Sequence, residues 1–415
     1  MSHLRRLNAH LKRTTSYNYR TLRSQPWNEL SGAMGDLGTF LPLTLALSLT
    51  HSISLPATLL FSGLANILTG AVFALPLPVQ PMKALAAWAL ASHATQGQMA
   101  AAGIMAGAIV LALSATGAVR LADRAVPRSV VAGVQVAAGI ALLQASARQF
   151  APLSWIHPYW ADNYLSTILA FVGLLACAAL ATKGVHVPYA LGLVVLGLTI
   201  AGARHGVYLS PGVDLYPRVP REGDFRAAWP AVLAQVPLTV VNSLIAAAAL
   251  GRSLLPEHPA NEASAERLGW SVGVMNLVGC WFGVMPVCHG AGGLAGQVRF
   301  GARSGGSVVV LGLVKVLLGV LGGSGIRYWF AGLPGGWLGV LVAAAGVEIM
   351  SVGIKRVEGP EVGVMLATVA GRVGFGNDGV GVLVGLAWFW GMRVPEWWER
   401  RQKRATSEEE ESLLG

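Results

Sequence analysis

Apolar runs of about 18–22 residues recur along this chain, separated by short polar or charged connectors, and as helices each is long enough to cross a bilayer. In order, the pattern predicts spans over residues 27–48 and 55–75, a broken span ending near Ala91, then 99–119, 129–147, 164–182 and 187–203. A polar, proline-bearing linker over 206–228 divides the chain. Beyond it come 229–250, 268–285, a second broken span ending at Arg299, then 307–321, 336–352, 361–375 and 379–392. The expected class is an all-α polytopic membrane protein of about 14 spans.

The two broken spans organise the rest. Ala74–Trp88 reads ALPLPVQPMKALAAW, with Pro76, Pro78 and Pro81 inside an apolar context. Proline removes an amide donor and fixes φ, so an extended approach should precede a new helix whose first turn holds Met82 and Lys83. Gly283–Gly296, GVMPVCHGAGGLAG, repeats the arrangement with glycines in the new helix. Setting Asn66 on Asn276, an offset of 210, puts Pro76 on Pro286, Gln80 on Gly290 and Lys83 on Gly293. Other segments match at offsets of 207 (Val126 on Leu333) and 203 (Asp36 on Thr239, Thr39 on Asn242). Seven spans per half is an odd number, so the halves take opposite topology: a 7+7 inverted repeat broken at spans 3 and 10.

Charge supports a membrane reading. Only 12% of residues are charged, against about 25% in soluble domains. The net charge of +10 gathers at the ends and connectors, so it reports membrane flanks and not nucleic acid. The basic stretch before Trp27 makes residues 1–26 a cytosolic tail, and an even span count returns 393–415 to the same side. No cleavable leader is expected, because the start is polar and basic. Cys177, Cys280 and Cys288 fall within spans and form no disulfide framework.

A helix starting inside a membrane turns unpaired amides and a positive dipole end toward its ligand. Gln80, Pro81, Met82 and Lys83 therefore form half of an anion site, and His289, Gly290, Ala291, Gly292 and Gly293 the other half, with the glycine amides as a nest. The plain alternatives are a proline kink in the first stretch and close backbone packing in the second. Lys83 either supplies charge to the ligand or pairs with Asp36. Thr39, Thr239, Asn242, Gln235 and Ser243 offer neutral hydrogen bonds or interhelical contacts. Asp36 and Glu348 are carboxylates deep in spans; each is a coupling proton carrier or a structural charge. No nucleophile–base set, metal-ligand spacing or cofactor motif is present, so neither an enzyme nor a metal site is expected.

GDLGTFLPL (Gly35–Leu43), PLPVQPMKALAA (Pro76–Ala87), NSLIA (Asn242–Ala246) and MPVCHGAGGLAGQVRFGARSGG (Met285–Gly306) resemble the molybdate transporter family, a branch related to the sulfate permeases. The resemblance implies uptake of molybdate. It also implies a core domain (27–120 and 229–327) rocking against a gate domain (121–205 and 328–392). Sulfate or another oxyanion is the alternative cargo, and an anion channel the alternative mechanism. The sulfate permease relatives carry a C-terminal regulatory domain; too few residues follow Arg400 for one, so regulation of that kind is not expected. Membrane lipid is the expected surrounding, in the plasma membrane or an internal one such as the vacuolar. A homodimer is left open.

Overall fold

The computed structural model describes residues 2–183, 185, 187–256, 258, 263–355 and 357–394. Arg356, Arg400 and the tail beyond 394 lie outside the described residues. The chain is mostly helical. Its first half holds α1 (Ser2–Ser24), α2 (Pro26–Met34), α3 (Leu37–Leu49), α4 (Leu55–Phe73), β1 (Val79–Pro81), α5 (Lys83–Ser92), α6 (Gln96–Ala115), α7 (Ala118–Ala125), α8 (Arg128–Phe150), α9 (Tyr164–Thr182) and α10 (Tyr189–His205). The second holds α11 (Glu222–Leu238), a π-helical stretch Thr239–Ala246, α12 (Ala247–Leu254), α13 (Ala265–Gly279), β2 (Val287–His289), α14 (Ala291–Arg299), α15 (Gly306–Leu317), α16 (Ile326–Ala331), α17 (Gly335–Ile354), α18 (Glu361–Phe375) and α19 (Asp378–Gly391).

Among the described residues, six helices are long and apolar enough to cross a membrane. The first expected span is a bent pair, α2 and α3, broken at Gly35 and Asp36. The expected eighth span is continuous from Glu222 to Leu254 but widens to π geometry after Pro237, whose ring denies the helix an amide donor.

The basic start of the chain is more than a tail. It folds as α1 and docks on the end of α4. His10 Nε2 lies 2.8 Å from the Val72 carbonyl, Thr14 Oγ1 donates to Ala71 O at 2.6 Å, and Asn18 Nδ2 to Gly70 O at 2.8 Å. Spaced four apart, these side chains share one face of α1 and bond the last-turn carbonyls of α4, of which Gly70 O also accepts the Ala74 amide at 3.0 Å.

Packing is close where helices cross at glycine. A Cβ on Gly63 would lie 2.7 Å from the Gly312 carbonyl, so α4 and α15 meet backbone to backbone. α6 packs on α13 and α11, while α8 packs on α17 and α18. Glu29, fully buried, caps the start of α15. Its Oε1 accepts from the amides of Arg303 (2.8 Å) and Ser304 (3.0 Å), and its Oε2 from Ser307 (3.0 Å). A buried carboxylate holding three amides is a structural use of charge that sequence reading did not single out.

Candidate functional site

Both proline-broken stretches are extended, and they pair. β1 and β2 run antiparallel with Val79 opposite His289, Gln80 opposite Cys288 and Pro81 opposite Val287. Met82 N donates to Pro286 O at 2.9 Å and Gly290 N to Pro78 O at 3.3 Å. Asn66 Oδ1 accepts the Val79 amide at 2.8 Å, and Asn276 Oδ1 accepts the Val287 amide at 2.8 Å. These matched bonds correct the sequence register. From asparagine to strand the chain runs 13 residues in the first half and 11 in the second, so an offset of 210 becomes 208 at the break. Gln80 therefore corresponds to Cys288 and not Gly290, Lys83 to Ala291 and not Gly293, and Pro78 rather than Pro76 to Pro286.

Successive strand residues face opposite ways, which sorts the candidate side chains. Gln80 and Cys288 share one face. Gln80 Nε2 donates to Asp36 Oδ1 and, at 2.6 Å, to Thr39 Oγ1; Thr39 Oγ1 in turn lies 3.2 Å from Asp36 Oδ1. Ser243 Oγ donates to Cys288 Sγ at 3.2 Å. The other face carries His289, whose Nε2 lies 3.1 Å from Ser271 Oγ and whose ring stands edge-on to Phe73. His289 is thus separated from the Gln80 cluster.

The first turn of α14 closes the cluster. A Cβ on Gly293 would sit 2.6 Å from Gln80 Nε2 and 2.8 Å from Asp36 Oδ1, and one on Gly290 would overlap the Gln80 amide. Only glycine leaves that space. Among the described residues, nothing accepts from the amides of Ala291, Gly292 and Gly293. At α5 the corresponding amides are taken: Gln235 Oε1 accepts from Ala84 (2.8 Å) and Leu85 (3.4 Å), and Gln235 Nε2 donates to Thr239 Oγ1 at 2.9 Å. Pro81 and Met82 are buried beside this cap and Lys83 is half-buried. Asn242 lies on the same π-helical stretch as Thr239, with a buried Oδ1 lacking a partner among the described residues. Asp36 Oδ2 is buried and unpartnered in the same sense.

Sequence reading missed one charge here. Lys315, on α15, is 2% exposed; its Nζ sits 3.5 Å from the Val79 carbonyl and 3.5 Å from the centre of the Phe40 ring. It acts electrostatically on Asp36, as does Lys83. The signal was present, since Lys315 is a lone cation inside VVVLGLVKVLLGV. Glu348 is elsewhere, half-buried on α17, one turn beyond the Ala345 that packs on Gly296 of α14. No group of three or more His, Cys, Asp or Glu suited to a metal ion occurs among the described residues.

Paired half-helices inside a bundle of apolar helices belong to a known transporter fold. The murine Solute Carrier 26 family member A9 anion transporter, solved in the inward-facing state, superimposes with a TM-score of 0.60 over 89% of this chain and 68% of its own, at 14% identity. The transmembrane domain of a cyanobacterial bicarbonate transporter, BicA, matches with a TM-score of 0.54 over 88% of this chain and 96% of its own, at 16% identity. At such identities the likeness is one of fold.

Sequence narrows the class. The profile described as "Molybdate transporter of MFS superfamily" matches residues 28–142 and 227–349. Molybdate transporter 1 of Arabidopsis thaliana is 38% identical over 365 residues, 77% of this chain and 78% of its own. Molybdate transporter 2 of the same plant is 37% identical over 378 residues, 78% of each chain. Molybdate transporter 1 of Chlamydomonas reinhardtii is 31% identical over 475 residues, 87% of this chain and 90% of its own. The chain belongs to the molybdate transporter family, and it is an integral membrane protein.

Proposed function

We propose that this protein is a secondary carrier of molybdate that works by alternating access. One observation carries the reading: the open amides of Ala291, Gly292 and Gly293 face a cluster of Gln80, Thr39 and Asp36, with Lys315 and Lys83 supplying positive charge. A tetrahedral dianion accepts hydrogen bonds on every oxygen, and a helix N-terminus with two cations suits it. Asn242 and Thr239 border the site from the π-helical stretch. His289 acts behind it, holding β2.

The matched bonds around β1 and β2 support a 7+7 inverted repeat of 14 spans, with a core (27–120 and 229–327) moving against a gate (121–205 and 328–392). Both termini are placed in the cytosol, and the plasma membrane is the first assignment. Amides read charge and shape, so tungstate and sulfate are the competitors to test. Competition uptake into proteoliposomes decides: molybdate and tungstate should compete for one site with sulfate much weaker, and sulfate competing equally overturns the assignment. Counterflow of labelled molybdate separates a carrier from an anion channel, which shows none.

Uptake of a dianion into a negative-inside compartment costs about 4.6 kcal/mol per 100 mV, from about 2.3 per charge. We therefore assign proton symport, with Asp36 as carrier and Glu348 as the alternative. A protonated Asp36 has an unpartnered oxygen from which to donate, so proton and anion binding reinforce each other. Asp36→Asn should abolish the pH dependence of uptake while sparing exchange; wild-type uptake indifferent to a collapsed proton gradient eliminates symport.

A further inference from the structure

Amides, a carboxamide and two lysines read the charge and shape that all tetrahedral dianions share. Selection among such ions needs a wall that senses size. The first turn of α14 meets one on the side away from β1. The Cβ positions of Gly290 and Gly293 turn toward Gln80 and Asp36, whereas that of Gly292 turns toward α8. A Cβ on Gly292 would lie 2.8 Å from Leu142 Cδ1 and 3.6 Å from Leu142 Cδ2 and Cγ, so Leu142 supplies the nearest atoms there. Leu142 is 3% exposed. Its helix is seated by close backbone crossings. A Cβ on Gly139 would lie 2.6 Å from the Gly346 carbonyl of α17, and one on Gly346 would lie 3.2 Å from Leu142 Cβ. Ala345, beside Gly346, packs on Gly296 one turn further along α14. α17 therefore backs both α8 and α14 and holds Leu142 against the Gly292 side.

We propose that Leu142 determines specificity at the anion site: it closes the Gly292 side with hydrocarbon, so a bound oxyanion sheds its water there. The assignment rests on the molybdate-carrier reading of the same site. Dehydration costs more for the smaller of two ions of equal charge, because the Born penalty rises as the radius falls. Sulfate is smaller than molybdate or tungstate and holds its water more tightly. A dry leucine wall therefore disfavours sulfate and admits the larger, more weakly hydrated dianions, with no hydrogen bond that tells them apart. The larger ion also reaches the leucine methyl groups and gains dispersion contact that the smaller one forfeits.

The full chain is purified in detergent and its melting temperature is titrated with molybdate, tungstate and sulfate, which gives the affinity of each without transport. Leu142→Ala opens room for water beside Gly292, so the ratio of molybdate to sulfate affinity should fall several-fold. Leu142→Val should move the ratio the same way by less, and serves where the alanine variant does not fold. Leu142→Met keeps both hydrocarbon and volume and should keep the ratio. A leucine that only packs would lower the melting temperature and weaken all three anions alike; an unchanged ratio in the truncated variants overturns the proposal. So does a ratio that shifts as far in Leu142→Met as in Leu142→Ala. The two readings fail differently. Wild-type protein that binds sulfate as tightly as molybdate sinks the molybdate assignment and the wall with it, whereas a wild-type preference that survives truncation of Leu142 sinks the wall alone.

Discussion

The two half-helices begin alike and end up differently served. At α5 the protein supplies its own acceptor, the Gln235 carboxamide oxygen, to the amides of Ala84 and Leu85. At α14 the equivalent turn is glycine-lined and its first three amides have no acceptor among the described residues. Matching backbone bonds around β1 and β2 thus lead into unlike helix starts. One terminus is filled by a side chain and the other is open among the described residues, so on the proposed reading the oxyanion should sit off-centre, on the α14 side.

Gly293→Val breaks this contrast most severely, because its side chain enters the space shared with Pro78, Gln80 and Asp36. Uptake should fall to background while the protein still elutes as a folded species on size exclusion; normal uptake would move the anion off α14. Gln80→Ala removes the amide lying over that turn. Affinity should fall tenfold to a hundredfold, from the loss of about 1.5–3 kcal/mol for a charge-assisted partner, read by isothermal titration.

Gln235→Ala tests the other terminus. Losing a cap costs about 1 kcal/mol of stability, so the melting temperature should drop while molybdate affinity changes less than about threefold. A loss as large as that of Gln80→Ala would show that both termini hold the anion. His258 gives the smallest effect. It lies in the connector after α12, with Nε2 2.9 Å from the carbonyl of Ala74, the left-handed residue that ends α4. Burial holds its pKa below the ordinary histidine value, so the fold favours the neutral ring. That stability is complete above the ordinary value and declines as pH falls through it. Between pH 7.5 and 5.5 wild type should lose about 1 kcal/mol more stability than His258→Gln, measured by thermal unfolding in detergent.

Much of the plan is legible in the residues because a membrane leaves few choices. Prolines 76, 78, 81 and 286 cannot continue a helix, and asparagines 66 and 276 inside apolar spans need backbone partners. Six of the expected spans read clearly from length, as helices long and apolar enough to cross a membrane among the described residues. Register at the break did not, because two residues of difference between the halves hide in an irregular approach. The π-helical widening after Pro237 leaves no periodic trace over eight residues. Gln235 reads equally as a ligand donor or as an interhelical contact, and its place on the first amides of α5 shows only when its partners are seen. Lys315 was overlooked because it lies in an unbroken span, far in sequence from the strand whose carbonyl it meets.

The pairing of β1 with β2 also sets a clock. Gln80 meets Cys288, which is made 208 residues later. At about 5–20 residues per second, the ribosome needs roughly 10–40 s to supply the partner. Throughout that interval the backbone of Val79–Pro81 has no strand to bond, and each unsatisfied group in hydrocarbon costs several kcal/mol. The first half must therefore wait, sheltered by the insertion machinery or held near the wet interface. A chain cut within the 206–228 linker should be a poor survivor alone, and co-expression of the missing half should rescue it.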